Sequence, residues 1–227
     1  MEKINELDFK SITNLKKIFK VKWYRSDIEK NKLREFVTRN NYKGFIHAFG
    51  HLFLWFLTGF ISYVFFNKEA WIWFAIAIFI HGTVGSFFGP PHHEFGHGTV
   101  FKSKRLNGIF HLIFSTLGFN NIHDYKISHT YHHLYTMHPE GDGEVVLPLN
   151  PGLRIIFLLQ LFTINFKGIY NKLNYFISTS LNKYHNGNSV GAGDNEEEWL
   201  KHLYKGEPNK RQKSINYARF VLVFHIL

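Results

Sequence analysis

The sequence contains no cysteine. That absence excludes a disulfide scaffold, thiolate metal sites, iron–sulfur clusters and cysteine nucleophiles, and it leaves the compartment open. Charged residues are scarce, at 19% of 227, where ordinary globular chains carry roughly a quarter. There is no internal repeat and no low-complexity tract. Aromatic bulk is abundant instead, at 18% of residues with 25 Phe. Neither a disordered chain nor a coiled coil carries such a load. The length suits one domain, or two at most. The formal net charge is +10 and 15 residues are His. The charge points to an anionic partner, either nucleic acid or a membrane surface. The histidines point to metal or proton chemistry.

Apolar residues are concentrated. Phe45 to Phe66 is an uncharged stretch of 22 residues, and Ala70 to Phe88 is a second of 19. A bilayer core needs roughly 20 apolar residues in a helix, so both runs are predicted to cross a membrane. The polar break Asn67-Lys68-Glu69 suits a tight helical hairpin. Residues 1–44 hold twelve Lys/Arg against six Asp/Glu, and Lys102, Lys104 and Arg105 follow the second run. The positive-inside rule then puts both flanks in the cytoplasm. The expected fold is all-α: an integral membrane helical hairpin with a cytoplasmic helical cap. Its parts are a basic N-terminal region (1–44), the hairpin (45–88), a cytoplasmic histidine-rich region (89–214) and the start of a third span (215–227). Residues 12–23 read as an interfacial helix or a solvated basic arm. Asn107–Phe119 and Leu153–Phe166 are too short to cross and are expected to be buried or surface-lying helices. Asn182–Arg211, polar and glycine-containing, reads as a loop. Because the basic residues flank spans and no groove-reading motif appears, a nucleic-acid partner is excluded.

Nine of the fifteen histidines fall between His92 and His138. His93 and His97 form an HxxxH, and His129, His132 and His133 form an HxxHH. On a helix, residues three and four apart share a face, so each set aims its imidazoles one way. Neutral nitrogen donors without thiolate suit first-row metals such as iron, zinc or copper. Glu94 also makes the first box an HExxH, the zinc-protease signature. In that rival reading Glu196–Glu198 would supply a third ligand, but His129, His132 and His133 would have no task.

The strings HHEFGHGTVFKSKRLN (92–107) and DYKISHTYHHLYT (124–136) resemble the membrane-bound fatty acid desaturase superfamily. The resemblance covers roughly residues 45–150. It implies that His93, His97, His129, His132 and His133 hold two iron ions, with O2 as co-substrate. It also implies a membrane lipid or acyl-carrier substrate and a separate electron donor of ferredoxin or cytochrome b5 type. The implied reaction is insertion of a double bond into an acyl chain, with hydroxylation or ketolation as the alternative in the same superfamily. Glu94, His92, His123 and Asp124 are then expected to orient imidazoles rather than bind metal. A third HxxHH, which the superfamily carries, is not in the sequence. It is expected beyond Leu227, and this chain alone is expected to be an incomplete enzyme. His138-Pro139-Glu140-Gly141 reads as a turn, and Asp142 and Glu144 read as turn-capping groups rather than cation ligands. His47, His51 and His81, inside the spans, are expected to bond to a neighbouring helix, and His111 to be a core histidine.

Overall fold

A computed structural model describes residues 26–136, 141–144, 166–185 and 196–227. All regular structure among them is helical. They fall into two compact units, one spanning residues 24–120 and the other taking the described residues from Asn121 onward. The predicted helix at 12–23, most of the 153–166 segment and the turn at His138 lie outside the described residues.

The first unit holds α1 (Lys30–Phe36), α2 (Asn41–Asn67), α3 (Trp71–Ser86), α4 (Gly89–His97) and α5 (Lys104–Leu117). Asn40 caps α2, its side-chain oxygen accepting from the amides of Tyr42 at 2.9 Å and Lys43 at 3.3 Å. At 1.5 Å per residue the 27 residues of α2 extend about 40 Å, more than the roughly 30 Å of a bilayer core. The chain reverses at Lys68–Ala70, with Glu69 in the left-handed region at φ 53°, and α3 packs back along α2. The stretches Lys30–Asn67 and Trp71–His97 contain helices long and apolar enough to cross a membrane, yet only 6% and 11% of their apolar windows are buried. A core helix of a soluble protein would be mostly covered. Here Phe53, Phe56, Phe60, Ile72, Trp73 and Phe79 stand exposed, and lipid is the solvent that suits them. Two histidines inside the hairpin are satisfied across it. His51 Nε2 donates to the Val84 carbonyl at 3.1 Å, and His81 Nδ1 lies 3.0 Å from Thr58 Oγ1. His47 is exposed.

The foot of the hairpin carries the core of this unit. Ala48 and Leu52, one helical turn apart on α2, meet Phe88, Phe95, Phe101, Phe110 and Phe114. Gly44 extends the same face; a Cβ there would come within 2.8 Å of the Phe101 ring. The loop between α4 and α5 is fixed by one buried side chain. Asn107 Nδ2 donates to the carbonyls of Phe101 (2.8 Å), Ser103 (3.0 Å) and Gly98 (3.2 Å), and its Oδ1 accepts from the Phe101 amide at 3.0 Å. Asn107→Ala is therefore expected to leave buried backbone groups unpaired and to cost about 3 kcal/mol. A drop in the thermal unfolding midpoint of the detergent-purified protein would show it; an unchanged midpoint would refute the role.

The second unit holds α6 (Ile122–Tyr135), α7 (Phe166–Ser180), α8 (Glu196–Leu203) and α9 (Pro208–Ile226). Asn121 caps α6 through the amides of His123 at 3.1 Å and Asp124 at 3.4 Å. Its Nδ2 also donates to Ser214 on α9, to the carbonyl at 3.2 Å and to Oγ at 3.1 Å. Trp199, Leu200, Tyr175, Phe176, Ala218 and Val221 are each completely buried. The expectation of a loop over 182–211 is overturned at both α8 and the start of α9. The acidic run Glu196–Glu198 is the first turn of α8, where carboxylates suit the helix dipole. Lys201 closes on Glu197 and Glu198 at 2.8 Å each, while Trp199, Leu200 and Leu203 supply a buried stripe. Pro208 stands in the first turn of α9, a place proline favours.

Candidate metal centre

The first box lies on α4, whose ends are set by local chemistry. Pro90 and Pro91 occupy the opening turn, and Gly98, at φ 67°, ends the helix directly after His97. At about 100° per residue the nine-residue helix sorts into two faces. His92 and Phe95 are buried. Phe95 stacks on Phe101, Phe110 and Phe114 with centroids 5.7, 5.5 and 5.5 Å away. His93 and His97 occupy the other face, and their Nε2 atoms approach to 3.2 Å. Glu94 Oε1 lies 2.8 Å from His93 Nδ1. That contact keeps the His93 proton on Nδ1 and leaves Nε2 as a lone pair. It also puts the carboxylate on the ring edge remote from Nε2, where a protease base serving a metal-bound water would not stand.

The second box lies on α6, again with two stripes. Asp124, Ser128, Tyr131 and Tyr135 are buried at helical spacing. His129, His132 and His133 take a separate face. The Nε2 atoms of His129 and His133 face each other at 2.9 Å. The His132 ring stands 5.4 Å from His129 and 5.8 Å from His133. Tyr125 stacks on His129 at 4.6 Å from the preceding turn.

Asp142 and Glu144 do more than cap a turn. The turn is there, since the Glu144 amide donates to Asp142 Oδ1 at 3.0 Å. The other oxygens, however, reach the histidines. His132 Nδ1 is 2.9 Å from Asp142 Oδ2, and His129 Nδ1 is 2.9 Å from Glu144 Oε2. The Asp142 side chain is fully buried, and the His129 and Glu144 side chains are only 11% and 10% exposed. A carboxylate on Nδ1 fixes the tautomer and ring angle and raises the basicity of Nε2. The sequence signal for this role is a pair of acids two apart, shortly after an HxxHH.

Other residues singled out from the sequence sit elsewhere. His92 is buried against α5, with Nδ1 2.6 Å from Ser115 Oγ and its ring 4.9 Å from His111. His123 meets the edge of Tyr217 at 5.9 Å. Burial, then Lys213 and Lys126, hold its imidazole below the usual histidine value. Asp124 is completely buried and accepts from the hydroxyls of Tyr175 and Tyr204.

The donor set fits a first-row ion within each box. Two nitrogen ligands about 2.1 Å from a metal and at right angles to each other stand about 3.0 Å apart, and the two Nε2 pairs are at 3.2 and 2.9 Å. Two facing lone-pair nitrogens at that separation need a proton or a cation between them. A family model, that of the fatty acid desaturases, matches residues 69–192, more than half of the chain and both boxes. No curated protein and no solved structure matches it.

Proposed function

The chain belongs to the fatty acid desaturase family, and on that premise we propose that it is a membrane-bound, iron- and oxygen-dependent oxidoreductase that introduces a double bond into a fatty acyl chain. The observation that carries the reading is the facing Nε2 pair in each box, 3.2 Å in the first and 2.9 Å in the second. In this reading His93 and His97 in the first unit and His129, His132 and His133 in the second are the residues that would hold two iron ions. Bound iron would supply what no side chain can, an oxidant made from O2 that removes hydrogen from an unactivated alkyl carbon. The reaction balances as CH2–CH2 plus O2, two electrons and two protons, giving CH=CH and two waters. The electrons come from a separate donor of ferredoxin or cytochrome b5 type.

The chain's own residues supply position. Glu94, Asp142 and Glu144 hold protons on Nδ1 atoms and so keep Nε2 atoms available. The exposed aromatic surface of α2 and α3 seats the protein in the bilayer where an acyl lipid or acyl carrier is met. Twelve basic residues before the hairpin against one in its turn favour boxes on the cytoplasmic side. With no native cysteine, Lys68→Cys reports this cleanly and should be labelled only from the opposite side.

The reading is tested by expressing the protein from its full coding sequence in a lipid-producing host with an electron donor. A new unsaturated acyl species by gas chromatography, with iron in the purified protein, is expected. A hydroxylated product would keep the site and change the reaction. Activity with stoichiometric zinc and no iron would overturn the assignment.

A further inference from the structure

Asp142 and Glu144 stand on either side of Gly143, and that glycine rests on an indole. A Cβ built on Gly143 would lie 2.3 Å from Trp199 Cδ2, 2.5 Å from Cγ and 2.7 Å from Cε2. No real side chain tolerates such contacts, so any substitution must move either Trp199 or the loop. Trp199 has little room to move. It is completely buried. Its Nε1 donates to Ser128 Oγ at 2.7 Å. Tyr131 packs edge-on at 5.1 Å, and His202 stacks on it at 5.6 Å. Ser128 and Tyr131 belong to α6, the helix that carries the second box. A closed chain of contacts results. It runs from α6 to Trp199, from Trp199 to the Gly143 backbone, and from Asp142 and Glu144 back to His132 and His129 on α6.

We propose that Trp199 is a positioning residue for metal binding by the second box. It is the seat that sets the height of Gly143 and hence the reach of both carboxylates. The proposal rests on the reading of the boxes as an iron site. Helix α8 needs to supply no ligand for this role; it acts through the loop. The carboxylates meet their imidazoles at 2.9 Å, and a shift of about 1 Å takes such a contact outside hydrogen-bonding range. Losing an outer partner of a metal-bound histidine typically weakens metal binding 10–100-fold.

The test is iron affinity by chelator competition on the detergent-purified protein, with the thermal midpoint measured in parallel. Asp142→Asn and Glu144→Gln define what the carboxylates contribute, about 10–100-fold each. Gly143→Ala removes no atom from the site, yet it is expected to weaken iron binding by about as much. Combining it with Asp142→Asn and Glu144→Gln should add little, because all three abolish the same support. A purely structural role for the Gly143–Trp199 contact would lower the midpoint and leave iron affinity below the midpoint at the wild-type value; that result overturns the proposal. Should Gly143→Ala fail to accumulate as folded protein, Trp199→Phe carries the test. It keeps a ring but loses the donor to Ser128, and unchanged iron affinity in it refutes the proposal equally. Wild-type protein that binds no iron would overturn the desaturase reading and this proposal together. Iron bound alike by wild type and Gly143→Ala would overturn this proposal alone.

Discussion

Alanine at His129 or His133 is expected to abolish turnover and to strip iron from the purified protein. These rings present facing Nε2 atoms at 2.9 Å, so on the proposed reading removing either opens a coordination position. The loss should exceed the 10–100-fold in affinity that removal of an outer partner costs. The same outcome is expected for His93, His97 and His132. The supporting carboxylates should grade by burial. Glu144 and His129 are 10% and 11% exposed, whereas Glu94 and His93 are 58% and 40% exposed. Water competes for the second pair and screens it, so Glu94→Gln should weaken iron binding less than Glu144→Gln. His111→Ala is the control: its ring lies against His92, and measurable activity should remain. Iron by elemental analysis and product by gas chromatography read these variants. Turnover surviving His133→Ala while Glu94→Ala is dead would reverse the assignment and favour a zinc hydrolase.

The hairpin was legible because its signal is length without charge, and a membrane leaves few other solutions for such runs. The shared face of each histidine set was legible because spacings of three and four residues follow directly from 3.6 residues per turn. The roles of His51 and His81 followed from the cost of an unpaired imidazole among apolar helices, and both rings have their bonds across the hairpin. Three things were hidden. Helix α8 resembles a polar loop because Glu196–Glu198 dominates its composition, and one of its four buried residues, beside Trp199, Leu200 and Leu203, is itself the charged Glu196. Asp142 and Glu144 looked like turn residues because their partners lie 10 and 15 positions back, beyond any local pattern. Asp124 sits close to the second box in sequence, which suggested an imidazole as its partner. The helical phase sends it inward with Ser128 and Tyr131 instead, to partners 51 and 80 residues away. Period and composition report which face a residue takes; they do not report what the far side of that face has waiting.

That inward carboxylate sets the second large effect. Asp124 is fully buried, and burial raises its pKa to about 6, against lowering contributions from Ser214, Tyr204 and Arg211. The hydroxyls of Tyr175 and Tyr204 both donate to it, and the same burial and the neighbouring charge push the Tyr204 hydroxyl up. In the unfolded chain the carboxyl titrates at its ordinary value of 3.8. Between these two values the folded protein holds the proton that the unfolded chain has released. The stabilisation is therefore fully present below about pH 4, falls as pH rises through 6, and is flat above it. The shift corresponds to on the order of 3 kcal/mol across that window. Asp124→Asn keeps the shape and cannot ionise. Its oxygen accepts from one tyrosine and its amide donates to the other, so the dependence of the thermal midpoint between pH 4 and 6 should flatten while the fold is kept. Asp124→Ala leaves two buried hydroxyls without their acceptor and should cost about 3–5 kcal/mol at any pH. Unfolding followed from pH 4 to 7.5 on wild type and both variants separates the two effects. A wild-type midpoint that rises through pH 6, or an alanine variant as stable as wild type, would show that Asp124 does not hold the second unit together.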